Sequence, residues 1–113
     1  MIIELAEASI WSEDLNNLLP FYRGVLGLAV SVQTAGFVVL GELRLGTHSQ
    51  VHGRNADPAR HMIGLTTNDN TADWRRLKHA GGDFLEDPTD CGNLWIATLK
   101  DPEGNQVQLV QLS

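Results

Sequence analysis

One order of elements occurs twice in this chain, and that repeat limits the fold more than any other feature. Residues 2–10 are apolar with interruptions and read as a strand. Ser12-Glu13-Asp14 then offers a helix start, with acidic groups where the helix dipole favours them. Leu15, Leu18, Leu19, Tyr22, Val25 and Leu26 follow at helical spacing. Pro20 is expected to kink or restart that helix, and Gly27 to stop it. Three short strands are expected next, at 29–34, 37–40 and 43–47, punctuated by Gly36 and Gly41. After a polar stretch the same grammar returns. Residues 61–67 read as a strand. Asn70 or Thr71 can cap a helix carrying Ala72, Trp74, Leu77 and Ala80, which ends at Gly81-Gly82. Strands at 83–85, 93–99 and 107–112 complete the second copy. A repeated open unit of strand, helix and three strands implies half-sheets that each need a covered face. The fold class is therefore α+β, in two modules: the first about 1–50, a linker about 50–60, and the second about 61–113.

Composition narrows the function. The chain has 113 residues, enough for one modest core. Its net charge of −6 disfavours nucleic acid, whose phosphates need clustered Lys and Arg. No apolar run approaches the ~20 residues of a membrane span. The Met1-Ile2-Ile3-Glu4 start lacks the basic and apolar regions of a signal peptide. The single Cys91 permits no internal disulfide and fits a reducing cytoplasm. With Asp90 beside it, Cys91 makes a poor nucleophile. No nucleophile elbow, phosphate loop or dinucleotide-binding glycine pattern is present.

Two stretches carry a family resemblance. "DLNNLLPFYRGVLGL" (14–28) has an acidic residue before a helix with Phe-Tyr and a closing Leu-Gly. "KDPEGNQVQLVQ" (100–111) is an Asp-Pro-x-Gly-Asn turn before a last strand. Together they resemble the vicinal oxygen chelate superfamily, which includes glyoxalase I, extradiol dioxygenases and bleomycin-resistance binding proteins. The resemblance covers nearly the whole chain. It implies two βαβββ modules, each curling a mixed sheet around a cavity, and a homodimer for short single-domain members.

The resemblance also implies four positions for metal ligands, on the first and last strand of each module. The first falls on Glu7, which alternation places on one face with Leu5, Ser9 and Trp11. The second falls on Arg44, where a cation would repel a metal; His48, on the same face near the strand end, is the credible substitute. The third falls on Met62, with His61 beside it but on the opposite face unless a bulge intervenes. The fourth, usually Glu, is Gln108, which can donate and accept hydrogen bonds but carries no charge. This set suits a polar organic ligand better than a divalent ion.

The expected function is thus a metal-free, cytoplasmic small-molecule-binding protein of the glyoxalase/bleomycin-resistance type, without a cofactor. Glu7, Ser9, Trp11, Arg44, His48, Met62, Trp95 and Gln108 are its candidate ligand residues. The sequence leaves open whether Trp95 or its neighbours Leu94 and Ile96 face the cavity. The alternative is a metal-dependent lyase, isomerase or dioxygenase acting on vicinal oxygens. Glu7, His48, His61 and Gln108 would then hold Zn, Ni, Mn or Fe. For acid–base catalysis without a metal, Glu7 is the one clear candidate.

Overall fold

The computed structural model describes residues 1–112, in two compact units, Met1–Gly53 and the chain from Arg54 onward. The first unit holds strands β1 (Ala8–Ser12), β2 (Val32–Gln33), β3 (Phe37–Leu40) and β4 (Leu43–Thr47). They form a four-stranded sheet in the order β1-β4-β3-β2. β1 runs parallel to β4, and the remaining pairs are antiparallel. The second unit holds β5 (Met62–Thr66), helix α1 (Asn70–His79), β6 (Asp83–Asp90), β7 (Leu94–Lys100) and β8 (Gln106–Leu112). Its sheet has the order β5-β8-β7-β6, again with the first strand parallel to the last. The two units therefore share the βαβββ topology, each with a mixed sheet, and the sheets do not close into a barrel.

Alternation builds each core. In the first unit Val38, Leu40, Leu43 and Leu45 are buried, and Leu18, Leu19, Phe21 and Tyr22 are buried with them. The Phe21 and Tyr22 rings meet edge to face at 5.1 Å. In the second, Leu77 of α1 is buried together with Ala97, Leu99, Val107 and Leu109 of β7 and β8.

The first helix departs from expectation. Leu15–Asn17 form a 3-10 turn and Pro20–Val25 a π-type turn, in place of one helix. Asp14 caps the first piece by accepting from the Asn16 N–H at 2.9 Å. Proline has no N–H to continue an α register. Beyond Pro20 the pattern widens, and the Leu26 N–H donates to Phe21 O at 2.8 Å. Gly27, at φ +78°, closes the segment in a conformation that suits glycine.

The first strand begins at Ala8 rather than Ile2. Its partner β4 starts at Leu43, opposite Ala8, so residues before Ala8 have no ladder to join. Met1, Ile2, Ile3 and Leu5 are exposed. β2 shrinks to two residues, whereas β6 extends from Asp83 to Asp90 through register shifts on either side of Glu86. The second shift, between Glu86 and Thr89, spans Pro88, which cannot donate to a ladder.

The Asp-Pro-x-Gly-Asn turn is a hydrogen-bonded knot. Asp101 is buried, and its Oδ1 accepts from the Glu103 and Asn105 N–H groups, both at 2.9 Å. Its Oδ2 accepts from Asn105 Nδ2 at 2.8 Å. The segment expected as a linker is tied to this knot. Arg54 Nη1 donates to Pro102 O at 3.0 Å, and Asn55 Nδ2 donates to Asn105 Oδ1 at 2.8 Å.

Candidate functional site

Strand pairing defines an open face on the first sheet, opposite its core face. Trp11 stands across from Gly46 and Ser9 across from Arg44. On the other side of β4, Phe37 pairs with Gly46 and Val39 with Arg44. Ser9, Trp11, Phe37, Val39, Arg44 and Gly46 therefore share one surface. Glu7 precedes β1, yet its carboxylate reaches the same surface. Arg44 Nη2 donates to Glu7 Oε1 at 2.8 Å. Both side chains of this pair are about one-third exposed (34% and 31%), so solvent screens them only in part. The Arg44 guanidinium also lies over the Phe37 ring, 5.0 Å from its centroid. Its Nε is shielded from solvent and makes no hydrogen bond.

His48 adds a wall to this face. It lies just beyond β4, where its N–H donates to Ser12 O at 3.0 Å. Its Nδ1 accepts from the Gln50 N–H at 3.1 Å, which leaves Nε2 as the outward nitrogen. Its ring meets Trp11 edge to face, with centroids 5.7 Å apart and planes at 72°. Glu7, Ser9, Trp11, Arg44 and His48 are thus brought together within one unit. Phe37 and Gly46 join them, and the sequence reading passed over both as site residues. The signal was present: once β1 pairs with β4 and β4 with β3, residues 11, 46 and 37 fall in one row.

The second sheet has an open face of different character. Met62 pairs with Gln106, and Gly64 with Gln108. Thr98 stands opposite Gln108 on β7. Met62 and Gln108 therefore share a mixed face with Gln106, Thr98, Ile96, Val110 and Lys100. Trp95 does not join them. It pairs with Gln111, one step out of phase with Thr98, and so lies on the α1 side with Ala97 and Leu99. Gln111 serves the helix instead. Its Oε1 accepts from the Asn70 N–H at 2.7 Å, beside the cap that Asp69 makes to the Ala72 N–H at 3.0 Å. Asn70, buried, donates through Nδ2 to Leu109 O at 2.6 Å. The three glutamines of the last strand thus divide into two on the open face and one at the helix start.

The candidate metal donors divide between the two units. Glu7 and His48 belong to the first unit, His61 and Gln108 to the second. His61 precedes β5 and is exposed. Among the described residues no three His, Cys, Asp or Glu side chains are grouped so as to hold a metal ion. A divalent ion at Glu7 would also have to displace, or sit against, the Arg44 guanidinium.

Comparison with known proteins agrees with this architecture. The family model described as Glyoxalase/Bleomycin resistance protein/Dioxygenase superfamily matches residues 4–109. Comparison with curated proteins gave no match. Among solved structures, TnmS3, an antibiotic binding protein from Streptomyces sp. CB03234, has 22% identity and a TM-score of 0.74, covering 99% of this chain and 98% of its own. A glyoxalase/bleomycin resistance protein/dioxygenase from Nocardioides has 18% identity and a TM-score of 0.73, covering 99% and 85%. A protein of unknown function from Agrobacterium tumefaciens str. C58 has 14% identity and a TM-score of 0.82, covering 100% and 97%. At these identities the likeness to the solved structures is one of fold.

Proposed function

The chain belongs to the Glyoxalase/Bleomycin resistance protein/Dioxygenase superfamily, and on that premise we propose that it binds or sequesters an organic small molecule without a metal. The observation that carries this reading is the Arg44–Glu7 ion pair at 2.8 Å. The position that the family resemblance assigns to a metal ligand holds a cation here, and that cation is bonded to the Glu7 carboxylate. A fixed guanidinium, a carboxylate, an indole and an imidazole on one sheet face make a familiar recipe for a small-molecule site: apolar contact for affinity, a few placed polar groups for orientation. The antibiotic-binding role of TnmS3, on the same fold, supports the ligand class. Met62 and Gln108 supply an apolar contact and an uncharged hydrogen-bonding group on the second sheet. Glu7, held by Arg44, serves in recognition rather than proton transfer.

We place the protein in the cytoplasm as a homodimer. The exposed apolar side chains of Met1, Ile2, Ile3 and Leu5 are surface that a second copy would cover. Light scattering on the purified chain gives the oligomeric state directly.

Binding is tested by a thermal-shift screen of organic compounds against the wild-type chain. Hits should stabilise it, since a ligand held only by the folded state raises the melting temperature. They should lose their effect in Trp11→Ala and in Arg44→Ala. Hits that survive both substitutions would place the site elsewhere and end this reading.

A further inference from the structure

Gly46 lies inside a strand, where glycine weakens a sheet and so has a cost. Its backbone does not call for glycine, because the positive-φ glycines are Gly27, Gly41, Gly53, Gly81, Gly92 and Gly104. What it supplies is space. A Cβ at position 46 would stand 2.7 Å from Trp11 Cε3 and 3.3 Å from Cη2, with Cζ3 closer still. Its three nearest contacts are therefore all atoms of the Trp11 six-membered ring. The indole leans across β4 into the place where a side chain would begin. One side of Trp11 is thus against backbone, His48 stands at its edge, and the residue keeps 38% exposure for a ligand.

The charges nearby point to a ligand class. Arg44 and Glu7 neutralise each other across 2.8 Å, and the guanidinium already lies on Phe37. The surface around Trp11 thus has no free charge of either sign among these residues, and stacking becomes the dominant attraction.

We propose that Gly46 is the specificity-determining position of this face: it sets the lean of the Trp11 indole, which forms the floor for a neutral planar aromatic ligand. This rests on the binding-protein reading above. Any side chain at 46 lifts the indole and removes the floor, while the fold survives because a half-exposed ring can move aside.

The test uses the whole chain, with 2-naphthol and its saturated counterpart decahydro-2-naphthol as probes, followed by NMR. Without any probe, the Gly46 Hα resonances should be displaced by the indole ring current and should return to ordinary positions in Trp11→Ala. On titration, 2-naphthol should shift the Trp11 indole N–H signal and the decahydro compound should bind more weakly. Gly46→Ala should weaken 2-naphthol by about fivefold to tenfold while its spectrum stays that of a folded chain. Trp11→Ala should show the same loss without the added methyl. Ordinary Gly46 shifts in the wild type would overturn the inference at its root, as would a Gly46→Ala chain that binds 2-naphthol like the parent. Equal binding of both probes would overturn the inference yet leave a binding protein of another ligand class. Binding of neither would remove the floor and count against the binding reading at this face.

Discussion

Replacing Asp101 should damage this protein more than any surface change, and by a graded amount. The buried carboxylate accepts hydrogen bonds from the Glu103 N–H, the Asn105 N–H and Asn105 Nδ2. Asp101→Ala strands two backbone donors in a turn that is itself buried at Glu103 and Gly104. An unsatisfied buried donor costs ~1–3 kcal/mol. Losses within one network are not additive, so the expected total is about 2–4 kcal/mol. Asp101→Asn keeps one carbonyl oxygen for both N–H groups and loses the contact to Asn105 Nδ2, a cost of about 1 kcal/mol. Unfolding entropy of roughly 2.1 cal/mol/K per residue gives this chain about 0.24 kcal/mol/K. The melting temperature should then fall by about 8–16 °C in Asp101→Ala and by about 4 °C in Asp101→Asn. Calorimetry or circular dichroism at one pH reads both. Equal losses in the two variants, or a fall below about 4 °C in Asp101→Ala, would refute the claim that this carboxylate holds the turn.

Two further effects follow from the same geometry. Asp69→Ala removes the acceptor for the Ala72 N–H at the start of α1 and should cost about 1 kcal/mol by urea unfolding. Glu7→Gln should cost no more than about 1 kcal/mol, because the pair with Arg44 is partly exposed and Phe37 still holds the guanidinium. Its effect should appear in ligand affinity, read by titration.

Much of the fold was legible in the sequence because two periodicities carry it. Phe37–Leu40 and Leu43–Thr47 were read with their observed limits, since apolar alternation and the flanking Gly36 and Gly41 mark both ends. Alternation also placed Ser9 and Trp11 on one face, and pairing with β4 put Arg44 there too. The misses share a cause: each depends on a partner distant in sequence. β1 starts where β4 begins, which no local pattern encodes. The face of Trp95 depends on its register against Gln111. The role of Gln111 has no local signal, because its partner, the Asn70 N–H, lies 41 residues away. The break in the first helix was half visible in Pro20, but its division into a 3-10 and a π-type turn goes with the burial of Leu18, Leu19, Phe21 and Tyr22.

We propose that the cation at position 44 stands in place of a metal at this site. The most direct test is thermal unfolding of chelator-stripped, untagged protein with added zinc, nickel, manganese or ferrous ion. A bound ion at a hundredfold excess over its dissociation constant would stabilise the fold by about 2.7 kcal/mol. We expect no rise in melting temperature with any of the four. A rise of about 10 °C with one ion, abolished by Glu7→Ala, would show that Glu7 leaves Arg44 to ligate a metal and would contradict the account.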